Sequence, residues 1–450
     1  MKMTARILAG QLFDPYLLQL VPNQLITVSH QTGLVLDVCT FKAGDELPAE
    51  TIDLRHLTVV PGFVDVHVHF FLHSYSETSW VDQVTKESLA ERTVRATVHA
   101  RKTLMAGYTS VRDLGTEGAE DADISLRKCL SGREPLISGP RYFTANRAIV
   151  STGSYGPKGS IHMNREGIEG VAGAEAADGT AECIRAVRKQ IGAGADWIKI
   201  YADYPVRSRL TDVAPRLASR SIRTFNNDEL KTLIDTAHQY DVRIAAHVKT
   251  VAVIKDLLEL GIDSIEHASD LHTSADVVRT LASPSCRTVY VPTLAAYYSL
   301  AARGGGFDAW EASQASFAAV LAQGLGNVAI ACGGDTGVFP HGENALEMEL
   351  MERLGAPWEW VLRWGTLGGW ECITGGHDGG EKPQIAIDTG AADSDDNAVP
   401  FGCIRAGWAA DLVGLDGDLA ADFAKTIRRV EFVMKAGAVY KQIGREVSWN

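Results

Sequence analysis

Along the first sixty residues, short apolar runs alternate with turns: "ARILAGQLFD", "QLITVSHQTGLVLDVCTF" and "TIDLRHLTVV". The two-residue period and the turn residues predict a small antiparallel sheet. From Pro61 onward the texture changes. Short apolar strands now alternate with amphipathic helical segments such as "KESLAERTVRATVHARKTLMAG", "GTAECIRAVRKQIGAG" and "NDELKTLIDTAHQYD", the signature of parallel βα units. Eight strands can be marked: "PGFVDVHVHF", "YTSVRDLG", "RYFTANRAIV", "ADWIKIYAD", "VRIAAHVK", "DSIEHASD", "TVYVPTLA" and "NVAIACGGD". That count predicts an α/β chain folded as a (β/α)8 TIM barrel, whose chemistry sits at the C-terminal ends of the strands. After the last helices, "GCIRAGWAADLVGLDGD" and "VEFVMKAGAVYKQ" return to strand texture. They predict a small β-sandwich domain built from both chain termini. The expected boundaries are 1–59 and 386–450 for the two parts of that domain and 60–385 for the barrel. Two stretches read as long loops of functional character, Pro205 to Arg223, rich in arginine, and His377 to Pro400, rich in Gly and Asp.

Within "VVPGFVDVHVHFF" the period of two places Val64, Val66 and Val68 on one strand face and Asp65, His67 and His69 on the other. Two imidazoles so spaced reach a single metal ion; equally, they are polar residues on the wet face of a half-buried strand. The other strand ends decide between these readings. Lys199 stands at the end of the fourth strand, His247 of the fifth, His267 of the sixth and Asp335 of the eighth, so metal-ligand types recur where a barrel gathers its active site. Lys199 is the least expected, because a buried ammonium is costly unless paired or neutralised. A structural reading pairs it with Asp196, Asp203 or Glu266. A functional one makes its amine a carbamate, an anionic oxygen ligand able to bridge two cations.

Composition narrows the classes. The net charge of −13 over 450 residues argues against a polyanion-binding surface, so the expected partner is a small-molecule substrate and not nucleic acid. No apolar run is long enough for a bilayer and the N-terminus lacks a signal-peptide pattern, which predicts no membrane association and a cytoplasmic location. The seven cysteines are scattered and never form C-x-x-C; they read as buried thiols rather than nucleophiles.

The motifs "PGFVDVHVHF", "AGYTSVRDLG", "GADWIKIYAD", "AAHVK", "SIEHASD", "CGGDTGVFPHGENALEMELM" and "GCIRAGWAADLVGLD", in that order, resemble the amidohydrolase superfamily, in the group of imidazolonepropionases, metal-dependent prolidases (Xaa-Pro dipeptidases) and ochratoxinase-like amidases. The resemblance implies a binuclear centre of two divalent ions, zinc first among them. His67 and His69 would bind the more buried ion with Asp335, His247 and His267 the second, and carboxylated Lys199 both. Lys199 argues against the imidazolonepropionase branch. One departure is Lys249, in His247-Val248-Lys249, where relatives often carry a second histidine. Relatives also imply a homo-oligomer, and the Trp-rich "APWEWVLRWGTLGGWECI" reads as an interface or as a barrel helix.

The implied reaction is hydrolysis of an amide bond through a metal-bridging hydroxide, with Asp335 as the catalytic proton carrier. Expected substrates bear a carboxylate: an N-acyl amino acid, a dipeptide or a cyclic amide. The carboxylate is read from Lys249 and from Arg207, Arg209, Arg216, Arg220 and Arg223, against the alternative of a solvated loop. Candidates for substrate contact are Tyr201, Tyr204, Lys249, His341, His73 and His162. Alternative functions are a lactonase or esterase on the same site, a metal-dependent decarboxylase or lyase, and a non-catalytic scaffold.

Overall fold

The computed structural model describes residues 4–42, 44–132, 135–156, 173–210, 213–376 and 396–447. His162 and most of the expected loop from His377 to Pro400 lie outside these residues.

The two chain ends meet in one eight-stranded sheet. In hydrogen-bonded order it runs Arg445–Glu446, Ala438–Gln442, Val430–Lys435, Leu412–Leu415, Ile52–Pro61, Thr4–Asp14, Gln19–Ser29 and Val35–Thr40. Its seam is the antiparallel pairing of Leu412–Leu415 with Ile52–Pro61, with Val413 opposite Val60. The expected antiparallel pattern has one exception, since Thr4–Asp14 runs parallel to Ile52–Pro61. Alternate residues bury an apolar layer that includes Ile7, Ile26, Val28, Leu54, Val59, Leu412, Phe432 and Met434.

A single residue, Gly62, carries the chain from this sheet into the α/β body. Its N–H donates to Asp411 O at 3.0 Å. A Cβ there would lie 2.1 Å from Thr109 Oγ1, so the position accepts only glycine. Beyond it, Phe63–Val68, Tyr108–Asp113 and Arg141–Thr144 form one parallel sheet. Val289–Val291, Ser264–His267, Arg243–Val248, Trp197–Tyr201, Ile149–Val150 and Glu175–Ala176 form another.

Backbone bonds link the two sheets on both sides. Asp196 N–H donates to Thr144 O at 2.8 Å on one side; on the other, segment 329–336 accepts from Tyr290 and Val66 and donates from Asp335 to His67 O at 2.8 Å. The result is a TIM-barrel-like α/β fold. Two expected strands differ in detail. The third is split into Arg141–Thr144 and Ile149–Val150, because Asn146 takes a left-handed φ of 58° between them. The eighth forms only isolated bridges, Tyr290 to Ile330 and Val68 to Thr336. Its Gly333 lets the backbone approach so closely that a Cβ would sit 2.6 Å from Val291 Cγ1, and the ladder ends at Asp335, where φ is +63°.

The predicted helices form with recognisable ends. Leu89–Met105 is capped by Ser88, Asn227–His238 by an Asn226/Glu229 capping box, and Gly179–Ala193 ends on left-handed Gly194. The Trp-rich stretch forms helices Trp358–Trp364 and Leu367–Thr374. Trp364 is buried and Trp358 packs on Phe13 of the terminal sheet at 5.9 Å, so part of this apolar surface joins body and sheet. The arginine-rich loop has structure of its own: Asp203–Tyr204 pairs antiparallel with Ile222–Arg223, and Pro215–Ala218 is helical. Among the described residues, no helix is long and apolar enough to cross a membrane.

A buried ion pair ties body to sheet. Arg141 donates to Asp411 Oδ2, with both side chains 1% exposed, and Asp411 Oδ1 accepts from Ala436 N–H at 2.8 Å. Asp411→Ala removes this carboxylate from a buried guanidinium and is expected to cost about 3–5 kcal/mol, read by chemical denaturation. Arg141→Met combined with Asp411→Leu should recover much of that loss.

Candidate active site

Strand Phe63–Val68 is buried at every position, so its alternating polar residues face partners rather than water. His67 donates from Nδ1 to Glu266 Oε2 at 2.9 Å, and His69 from Nδ1 to Gly115 O at 2.9 Å. Each ring therefore presents Nε2, and both Nε2 atoms face Asp335 Oδ1, at 3.7 and 3.3 Å respectively. Ligand atoms of His67, His69 and Asp335 all lie within 4.8 Å of one another.

The second pair of histidines completes the ring. His267 lies 5.2 Å from His67 and 4.4 Å from His247, centroid to centroid. Its Nδ1 donates to Thr293 Oγ1 at 2.7 Å, while the Thr293 hydroxyl donates onward to Pro292 O. His247 stacks on Tyr201 at 4.7 Å. His267, Ala268, Thr293 and Asp335 all have φ between 46° and 70°. Such strain in non-glycine residues collects where a site is held in shape.

Lys199 enters from strand Trp197–Tyr201. It is 1% exposed, and its Nζ has no hydrogen-bond partner among the described residues. The three carboxylates of the structural reading are engaged elsewhere: Asp196 with Arg127, Asp203 with Thr250 and the Lys249 N–H, Glu266 with His67 and Arg112. Burial lowers its pKa to about 8 despite nearby Glu266 and Asp335.

Electrostatics separate His69 from the other rings: burial lowers its pKa, but the hydrogen bond and charge of Asp335 outweigh burial and raise it to about 9, a proton that a ligating ring gives up to a cation. Burial holds His67, His247 and His267 well below the ordinary histidine pKa, which keeps them neutral and able to ligate. Burial opposes ionising Asp335, but His67, His69 and Lys199 outweigh it and bring it to about 2. Three rings with oriented Nε2 atoms, an ionised carboxylate and an orphaned buried amine fit divalent cations.

Residues 58–378 match the model of the amidohydrolase family. The chain belongs to the amidohydrolase family. It is thus a hydrolase acting on carbon–nitrogen bonds, in a family that is typically metal-dependent. The chain is 28% identical to ochratoxinase of Aspergillus niger over 412 residues, 86% of this chain and 76% of that protein. The crystal structure of a Xaa-Pro dipeptidase with bound methionine superposes with a TM-score of 0.76 at 23% identity, covering 97% of this chain and all of that one. The A. niger ochratoxinase structure gives a TM-score of 0.72 at 22% identity, covering 98% and 96%. At these identities the two structures speak for the fold.

The amidohydrolase site gathers some of the expected substrate contacts and not others. Tyr201 and Tyr204 pack on His247, at 4.7 and 5.4 Å. Lys249 follows directly, its backbone N–H held by Asp203. His73 is instead tied to Glu87 by Nε2 at 2.7 Å and to Gln83 through its backbone. His341 stacks on His99 at 4.1 Å and donates to Leu72 O. It lines a separate cavity of about 520 Å³ with Arg101, Lys102, Arg428 and Lys441. Both histidines brace the loop after the first strand.

Two supports escaped sequence reasoning, Glu266 and Thr293. Glu266 links His67, Arg112 and Ser264. Strand parity sends Glu266 and His267 to opposite faces, and only the left-handed φ of His267 brings its ring back inward. The Ser264/Glu266 alternation was the available signal.

Thr293 fixes the donor nitrogen of His267, so Thr293→Val should weaken divalent-cation affinity about 10–100-fold, whereas Thr293→Ser retains it. Competition against a chromogenic chelator reads both.

Proposed function

We propose that this amidohydrolase is a binuclear metal-dependent enzyme that cleaves the amide bond of a small carboxylate-bearing molecule: an N-acyl amino acid, a dipeptide or a cyclic amide. The observation that carries the proposal is Lys199, a buried amine without a partner among four imidazoles and Asp335. Addition of carbon dioxide to the neutral amine, with loss of one proton, forms an N–C bond and gives a carbamate, which removes the buried positive charge and supplies an anionic oxygen donor. In this reading His67, His69 and Asp335 would hold one ion, His247 and His267 the other, and carboxylated Lys199 would serve both, with Zn2+ the favoured metal. Bound divalent ions would polarise the substrate carbonyl and lower the pKa of water.

The chain's own residues do the rest. Asp335 Oδ1 faces the Nε2 atoms of His67 and His69 and would be its ligating oxygen, which leaves the other carboxylate oxygen to receive the proton of the attacking water and pass it to the leaving amine. Glu266, Gly115 O and Thr293 keep three rings in one tautomer. Tyr201 and Tyr204 shape the approach beside His247. The same reading takes the body, residues 60–385, as a closed (β/α)8 barrel, and residues 1–59 with 386–450 as a sandwich folded from the terminal sheet. It takes the protein as a cytoplasmic homo-oligomer. The name of the Xaa-Pro dipeptidase neighbour, together with the cation of Lys249 two residues after His247, supports the substrate class.

Protein purified in bicarbonate buffer should carry about two divalent ions per chain by elemental mass spectrometry, falling in Lys199→Ala. A ¹³C-bicarbonate-dependent carbamate resonance should disappear in the same variant. A ratio of one in both proteins, without that resonance, would reject the bridged pair. Asp335→Asn should lower kcat about 10²–10⁴-fold with the fold intact by circular dichroism; retained turnover would remove its assigned role.

A further inference from the structure

Five arginines lie between Pro205 and Arg223, and they are not equivalent. Arg207, Arg216 and Arg220 are exposed. Arg223 is paired with Asp256 and Asn227. Arg209 alone turns onto an aromatic shelf: its guanidinium carbon lies 3.6 Å from the Trp80 ring centroid, 4.6 Å from that of Tyr155 and 5.5 Å from that of Tyr204. Nη2 donates to the Tyr204 hydroxyl at 2.9 Å, whereas Nη1 is buried and has no acceptor in hydrogen-bond geometry among the described residues.

The shelf is built from below by one carboxylate. Glu117, 3% exposed, accepts with the same oxygen from the Trp80 indole N–H and the Tyr155 hydroxyl. It thereby sets the two rings against which Arg209 stacks, without itself pairing with the guanidinium. The shelf runs on to the reaction centre. Tyr155 packs on Tyr201 at 4.6 Å and on Tyr204 at 5.1 Å, and both of those rings pack on His247.

Stacking alone would explain a loop pinned down by Arg209, but it leaves a buried donor unmade, which is unfavourable. A planar guanidinium with one donor unmade, rigidified on aromatic faces, is suited to a carboxylate. We propose that Arg209 is the specificity-determining residue that takes the substrate's free carboxylate, with Glu117 its positioning residue through Trp80 and Tyr155. The assignment rests on the amide-hydrolase reading above and narrows it: the favoured substrates are N-acyl amino acids and dipeptides with an ionised C-terminal carboxylate.

The experiment compares a panel of N-acetyl amino acids and dipeptides with their C-terminal primary amides, on the metal-loaded full chain. Arg209→Gln is expected to raise KM for the acids about 10–100-fold, to leave kcat within a few-fold and to leave the amides unchanged. Glu117→Leu should do the same, and Glu117→Gln, which keeps an acceptor oxygen, should restore the acids. Equal losses on acids and amides in Arg209→Gln would make the residue structural and overturn the assignment. So would discrimination that survives Arg209→Gln and falls in Lys249→Met. If the wild type hydrolyses neither member of any pair, the amide-hydrolase reading fails by itself. Calorimetric binding of the same acids and amides to wild type and Arg209→Gln then decides the arginine's role: acid-selective binding lost in the variant upholds it, and unselective binding or no binding rejects it.

Discussion

The site depends on one clamp at the base of the first strand. Asp65 Oδ1 accepts from His67 N–H at 3.0 Å and from Gly334 N–H at 3.2 Å, and Oδ2 accepts from the Asn344 amide at 2.7 Å. One buried carboxylate thus fixes the backbone of one histidine and of the residue preceding Asp335. Burial pushes its pKa up to about 7, against those three donors. The polar cost is offset by what it organises. Segment 329–336 carries two glycines and makes only isolated bridges, so ladder hydrogen bonds alone would hold it weakly. Asp65 and the Asp335-to-His67 backbone bond supply the missing fixation. His67, His69 and Asp335 converge because strand and segment cannot slide past one another.

Above the clamp, polar groups in an apolar interior are made tolerable by giving each a designated partner. His67 has Glu266, Glu266 has Arg112, and Arg112 returns to Val66 O at 2.7 Å. His69 and His267 have Gly115 O and Thr293. A half-satisfied network costs more than an apolar core, and Lys199 is the gap beside these paired groups, a buried amine with no hydrogen-bond partner among the described residues. The gap is local and chemically specific, a lone amine surrounded by metal-ligand types. That is why it supports a reading of the site when an isolated polar residue in a core would not.

Much of this was legible in the sequence, for reasons the coordinates make plain. His67 and His69 could be placed on one face because strand parity is rigid, and Lys199, His247 and Asp335 beside them because parallel strands deliver their ends to one side. The αβ alternation survived because helix caps such as Asn226/Glu229 are local signals. The misses are long-range or conformational. Nothing near Asn146 announces the left-handed residue that splits the third strand, and the glycines of "CGGD" read as a strand end although they mark a close approach to Val291 and His67. His73 and His341 fall in loops on the expected face, yet their partners, Glu87 and Leu72 O, lie where spacing along the chain cannot place them. Glu266 was weighed only as a partner for Lys199, since its bond to His67 spans 199 positions.

The loop after the fourth strand illustrates the same limit from the side of charge. By composition its arginines form one basic patch, and a patch predicts only a positive mouth. Side-chain surroundings separate them: a guanidinium in water is screened and interchangeable, whereas one laid on Trp80 and Tyr155 loses hydration and conformational freedom together. Preorganisation of that kind turns charge into selectivity, because the ordering cost is met when the chain folds rather than when substrate arrives. Glu117 makes the point sharply. Its charge favours the ionised guanidinium of Arg209, and without pairing with that cation it also sets the aromatic faces on which the cation lies beside the approach to His247.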